Sequence, residues 1–232
     1  MSRRSSDLPT VVGELSHRAL NYSEEDAPPH VVGGWHQDDV RIVLGREEPG
    51  EIVEGGLAGA AADLVNSYEF ADPAILRAVY RYPGDLVGRN MLLVGRFLIL
   101  RFAMGVRITE VHDEVCDGEH RIGWAYQTLD GHLEQGKLTY EVAKDLASGT
   151  VEFRIHAYSR RARIRNPVVA LGFRLFGRRT QQRFYANALN RLARSSQAPP
   201  APPQPREDGL VRAPGDRPPF DRVRILLLHP GR

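Results

Sequence analysis

Polar and apolar positions alternate along much of the chain, and they recur at helical spacing near its C-terminal end. Val40, Ile42 and Leu44 share one face of a strand over 35–44. Residues 57–68 are Ala-rich and read as a helix, and Asp72-Pro73, an N-cap followed by a first-turn proline, predicts a second helix through about Tyr80. Strands are then expected over 90–94, 97–103 and 106–111, with turns at Gly95 and Gly105. Segments 121–128 and 136–143 read as a hairpin that reverses at Asp130-Gly131. The last strand, 151–159, sets Val151, Phe153, Ile155 and Ala157 against Glu152, Arg154, His156 and Tyr158. Residues 166–194 read as one long helix, with Val169, Phe173, Phe176, Phe184, Ala188 and Leu192 at helical spacing.

This order predicts an α+β domain. A curved antiparallel β-sheet with one buried face wraps a long C-terminal α-helix, with two short helices after the first strand. That is a helix-grip arrangement, and the gap between sheet and helix is expected to be a cavity lined by apolar and aromatic side chains. The expected domain spans 11–194. Residues 1–10 are polar and expected to be disordered, and 195–232 form a Pro-rich linker and C-terminal tail. QAPPAPPQP at 197–205 predicts a semi-rigid polyproline connector, and the apolar run 225–228 either pairs at a sheet edge or is an inert extension.

Composition narrows the function classes. The 232 residues are 42% hydrophobic and 26% charged, ordinary for a globular protein. A single cysteine, Cys116, excludes an internal disulfide and any cysteine-based metal site. No apolar run approaches the roughly 20 residues that span a bilayer, and the N-terminal segment has no apolar core of a secretory signal. A cytoplasmic location is the expectation, with no cofactor and no metal.

The net charge of +2 conceals an asymmetry. Residues 1–159 carry 15 basic and 25 acidic side chains, whereas 160–194 carry ten arginines and no acid. Such a segment suits an anionic membrane surface or an acidic protein, or is compensated by the acidic remainder of the chain. No nucleic-acid-binding motif accompanies it, so nucleic acid is not an expected partner.

Three segments carry a family resemblance: GWAYQTLDGHLEQG (123–136), VEFRIHAYSRRA (151–162) and TQQRFYANAL (180–189). Together they resemble the uncharacterised family known as domain of unknown function 1990, over about residues 13–192. The resemblance implies a START-like, birch-pollen-allergen-like helix-grip fold, a group in which many proteins bind lipids, sterols, polyketides or other apolar molecules. One position departs from the pattern: Lys137 stands where the family tends to carry an acid after Gly136.

The candidate chemistry follows from placement. His132 and Glu134, at the hairpin tip, form either an acid–base pair or a structural turn. Trp124 and Tyr126 share a face of their strand and Tyr140 one of the next; with Phe173 on the long helix they are either core or the wall of a pocket with the Tyr hydroxyls as its polar points. Arg107, together with His132 and Glu134, is expected near a polar mouth, where it meets a ligand carboxylate or Glu134, or forms a surface ion pair. The leading reading is a binding module for a small, mostly apolar ligand. The alternatives are a cyclase- or isomerase-like enzyme using the same pocket, and an interaction protein docking through its arginine-rich helix.

Overall fold

The computed structural model describes residues 8–30, 33–53, 55–97, 100–163, 167–215 and 227–228, with the side chains of 96–101, 167–176 and 227–228 outside that description. Its elements are α1 (Leu8–Glu14), β1 (His36–Arg46), α2 (Leu57–Asn66), β2 (Leu76–Arg81), β3 (Asn90–Phe97), β4 (Leu100–Cys116), β5 (Glu119–Thr128), β6 (Glu134–Asp145) and β7 (Thr150–Arg161). α3 (Pro167–Ser195), β8 (Leu210–Ala213) and β9 (Leu227–Leu228) follow. The strands form one large curved sheet in the order β1-β7-β6-β5-β4-β3-β2-β8, antiparallel throughout, with β9 running parallel beside the start of β4.

Period-two alternation decides which face is buried. Val151, Phe153 and Ile155 of β7, Tyr140 and Val142 of β6, and Trp124 and Tyr126 of β5 point to the face covered by α2 and α3. Phe184, Tyr185, Ala188 and Leu192 of α3 complete that core at helical spacing. A smaller core on the opposite face seats Val12 and Leu15 against Val79, Leu92, Ala103 and Leu129.

Polar residues of the outer face pair across strands. The Arg154 guanidinium reaches Glu119 at 2.8 and 2.5 Å and Glu152 at 2.9 Å, and it holds the Glu119 carboxyl down to about 2. The hairpin turn between β4 and β5 places Asp117 and Gly118 at φ 52° and 78°, the left-handed pair that a two-residue turn requires.

The structure corrects the expected fold in three places. The second helix expected from Asp72 is β2. Asp72 caps only a turn, its Oδ1 accepting from Ala74 N at 2.8 Å. Ala78, Val79 and Tyr80 are buried, with Val79 in the outer core and its neighbours in the inner one, as expected of a strand between two partners.

Gly95 and Gly105 are not turns but lie inside β3 and β4. A Cβ on Gly105 would sit 2.7 Å from Leu15 Cδ2, so glycine there admits the N-terminal segment onto the sheet. The third correction concerns the tail. Leu210–Ala213 pairs with β2 as a sheet strand, and Gly215 N donates to Glu69 Oε1 at 2.8 Å. Residues 8–10 begin α1, and 227–228 of the apolar run pair with β4, while 225–226 lie outside the described residues. Among the described residues no helix is long and apolar enough to cross a membrane.

Candidate functional site

The hairpin between β5 and β6 is held by its own polar residues. Thr128 Oγ1 donates to Asn21 Oδ1 at 2.6 Å and accepts from Gly136 N at 3.0 Å, tying both strands to the N-terminal segment. A Cβ on Gly123 would lie 2.1 Å from the Tyr140 carbonyl oxygen, and one on Gly136 2.4 Å from that of Tyr158. These glycines are demanded by backbone approach.

His132 does not meet the Glu134 carboxylate. Its Nδ1 lies 3.0 Å from the Glu134 backbone nitrogen and 3.1 Å from the Glu134 carbonyl oxygen, so the ring is tied to the backbone of that residue. Burial lowers the imidazole to about 4, against the pull of the Glu134 backbone. Here the ring fixes the turn.

Parity along β6 aims Glu134 at the inner face. Burial pushes its carboxyl up to about 7 against the attraction of Arg178, and Asp38 adds to the rise. Asp38, on the inner face of β1, takes both arms of the Arg178 fork, and Arg178 also donates to Gln181 Oε1 at 2.9 Å. Gln181 in turn donates to Ser159 Oγ at 3.2 Å. The β1–β7–β6 end of the inner face is therefore a polar cluster clamped to α3.

Next to it lie four tyrosines from four elements: Tyr68 after α2, Tyr126 on β5, Tyr140 on β6 and Tyr185 on α3. All are buried. Burial raises every one of these phenols well above its ordinary value, and each feels at least one of the other three. The hydroxyls of Tyr68 and Tyr126 come close enough to Tyr140 to affect its ionisation. By strict geometry those of Tyr68, Tyr140 and Tyr185 have no partner among the described residues, and Tyr140 has only long side-chain hydrogen bonds, to Tyr68 and Tyr126; Tyr185 has none. Buried hydroxyls without partners are rare in folded proteins.

Tyr68 is also held at φ 64°, a left-handed conformation that is strained for an aromatic residue. Beyond the tyrosines the inner face is aromatic and filled. Phe70 stacks 4.5 Å from Tyr140 and 5.6 Å from Phe153, and Trp124 donates Nε1–H to the Val65 carbonyl at 3.2 Å.

The structure thus brings Tyr126 and Tyr140 together with Glu134, and sets Trp124 behind them as a packed wall. Arg107 stands apart on the outer face. It donates to the carbonyls of Leu15, Ser16 and Arg18 at 3.0, 3.3 and 3.0 Å, and to Asn90 Oδ1 at 2.9 Å, clamping the N-terminal segment. Phe173 lies on α3, but its side chain is outside the described residues.

Sequence reasoning missed Tyr68, Tyr185 and Asp38, and read Arg178 only as one of the arginines of 160–194, whose compensation by the acidic remainder of the chain the Asp38 pair exemplifies. Tyr185 lies within the 180–189 motif and Asp38 on the Val40 face of β1, which were the only signals for them. The arginine segment is split: Arg178 pairs with Asp38 and Arg191 with Glu69, while Arg179, Arg183 and Arg194 are exposed. Among the described residues no three metal-ligating side chains converge.

A family model described as "Domain of unknown function (DUF1990)" matches residues 19–190. No curated protein matches the chain. Among solved structures, a hypothetical protein from Helicobacter pylori is 11% identical with a TM-score of 0.45, covering 77% of this chain and 96% of its own. Ara h 8.0201 is 9% identical with a TM-score of 0.40, covering 71% and 99%. A Thalictrum norcoclaurine synthase point mutant, in complex with a transition-state analogue, is 9% identical with a TM-score of 0.41, covering 71% and 96%.

Proposed function

The chain belongs to the DUF1990 family, whose description assigns no activity, and from its geometry we propose that it is a binding module for a small, mostly apolar ligand. The ligand sits on the inner face of the sheet, which grips α3 in helix-grip fashion. The observation that carries this reading is the set of three buried and poorly satisfied phenol oxygens, Tyr185 with no partner among the described residues and Tyr68 and Tyr140 with only long contacts inside the tyrosine cluster. A ligand with an apolar body and one or two polar atoms satisfies them, while Phe70 and Trp124 supply the apolar wall. Glu134 and the Asp38–Arg178 pair set the polar end.

Native mass spectrometry of freshly purified protein tests the proposal. A co-purified small molecule is expected, lost or much reduced in a Tyr68→Phe/Tyr140→Phe variant of unchanged melting temperature. A bare protein that takes up no apolar compound from a broad panel would contradict it.

A second reading, an isomerase- or cyclase-like enzyme, draws support from one feature. Glu134 titrates near neutrality beside Tyr126 and Tyr185, as a general acid or base must. In that reading Glu134, rather than His132, transfers the proton, and Glu134→Gln abolishes turnover while leaving ligand affinity within a few-fold.

A further inference from the structure

A second concavity lies outside the tyrosine cluster. After α3 the chain leaves the β1 edge of the sheet, where Gln197 Nε2 donates to the Leu44 carbonyl at 3.1 Å, and it reaches the opposite edge as β8 beside β2. The proline segment between them passes α2 as a strap. Beneath it is an open groove of about 1130 Å³. Its walls are the outer flank of α2, including Ala60, and the side chains of Ile52, Leu86 and Ile122, with Pro200 and Pro203 on the strap side. None of Trp124, Tyr126 or Tyr140 lines it. The strap lies beyond residues 19–190, whereas the other walls of the groove lie within them.

One charged side chain in the groove is poorly satisfied. Arg89 stacks its guanidinium 5.0 Å over the Tyr80 ring and donates one nitrogen to the Gly84 carbonyl at 2.8 Å. Its Nε is buried with no acceptor among the described residues. The acids that share the groove are otherwise engaged or exposed: Glu69 accepts from Gly215 N and pairs with Arg191, Asp113 pairs with His120 at 2.6 Å, and Asp63 faces solvent. Burial draws the Arg89 pKa down, the mark of a cation short of counter-charge, although the field of Asp85 opposes the shift. A guanidinium at the side of an apolar groove is complementary to an anion with an apolar tail.

We propose that the groove under the proline strap is a binding site for a long-chain carboxylate, its head on Arg89 and its chain along Ile52, Leu86, Ile122 and the strap prolines. This site is independent of the tyrosine site on the inner face.

The test is displacement of cis-parinaric acid, a fluorescent long-chain carboxylate, by oleate and by oleyl alcohol, which has the same chain without the charge. Wild type is expected to bind oleate about ten- to hundred-fold more tightly than the alcohol, the range of a charge-assisted hydrogen bond. Arg89→Met keeps the stem against Tyr80 and removes that preference. Ala60→Leu, a substitution that suits a helix, intrudes on the groove beside α2 and weakens both ligands at least ten-fold, and it decides the matter alone if Arg89→Met does not fold. Tyr140→Phe changes neither. Equal affinity for oleate and alcohol in wild type, a preference that survives Arg89→Met, or no effect of Ala60→Leu would each overturn the proposal. Loss on Tyr140→Phe would move the ligand to the tyrosine site and equally overturn it.

Discussion

Acid titration of the hairpin tip sets two half-buried groups against each other. Glu134 titrates at about 7 in the fold against an ordinary 4.5. Its pKa is raised, so its stabilising contribution is full below about 4.5 and is lost as pH rises to about 7. His132 titrates at about 4 in the fold against an ordinary 6.5. Its pKa is depressed, so its contribution is present above about 6.5 and is lost as pH falls to about 4. Each shift corresponds to about 3 kcal/mol at 1.36 kcal/mol per pKa unit, and partial solvent contact at the tip reduces that to ~2 kcal/mol.

The two slopes oppose each other over the same window, so wild type shows little net dependence from this pair. Glu134→Gln leaves the His132 slope alone. Its urea-measured stability should fall on acidification from about pH 7 to about pH 4 more steeply than that of wild type, by ~2 kcal/mol. His132→Asn leaves the Glu134 slope, and its stability should rise over the same interval. If the Glu134→Gln and wild-type profiles run parallel within about 0.5 kcal/mol, the carboxyl is not buried in the fold as described.

Three further outcomes follow from the packing. Lys144 Nζ is fully buried between Glu47 Oε2 at 2.9 Å and the Glu51 carbonyl at 2.7 Å, so Lys144→Met should lower urea-measured stability by about 3–5 kcal/mol. Adding Glu47→Gln should recover most of that, because the amide oxygen still accepts from Ala58 N at the start of α2; a double variant no more stable than the single contradicts the pairing. Arg107→Met should cost about 2–3 kcal/mol and speed limited proteolysis within residues 8–20 while leaving ligand affinity unchanged; an affinity loss would return Arg107 to the site. Gly123→Ala should cost about 3 kcal/mol or more, since its Cβ meets the Tyr140 backbone rather than a side chain that can move; a melting temperature equal to wild type would refute the close approach.

The local signals that were read correctly are those with a single physical cause. Alternation at Val151–Ala157 and helical spacing at Phe184, Ala188 and Leu192 depend only on which face is buried, and both inner faces are as expected. β2 was illegible because Asp72-Pro73 is a good helix start, and only pairing on both sides, with β3 and the distant β8, makes the following apolar run a strand. The same long-range pairing hid the tail strand. At the site, Tyr126 and Tyr140 were legible from parity. Tyr68, Tyr185 and Asp38 were not, nor was the particular role of Arg178, because these residues come from β1, the end of α2 and α3, and only tertiary packing brings them together. Arg107 illustrates the reverse error: the motif position was noticed, but strand parity sends it to the outer face, where backbone carbonyls take its donors.

The most direct measurement is the electron density around the hydroxyls of Tyr68, Tyr140 and Tyr185 in crystals of protein purified without refolding. Density for an apolar molecule, with a polar atom within hydrogen-bonding distance of at least two of these oxygens, is the predicted result. Hydroxyls bonded only to one another or to neighbouring protein atoms, in an interior with no room for a ligand, would contradict the proposed binding function.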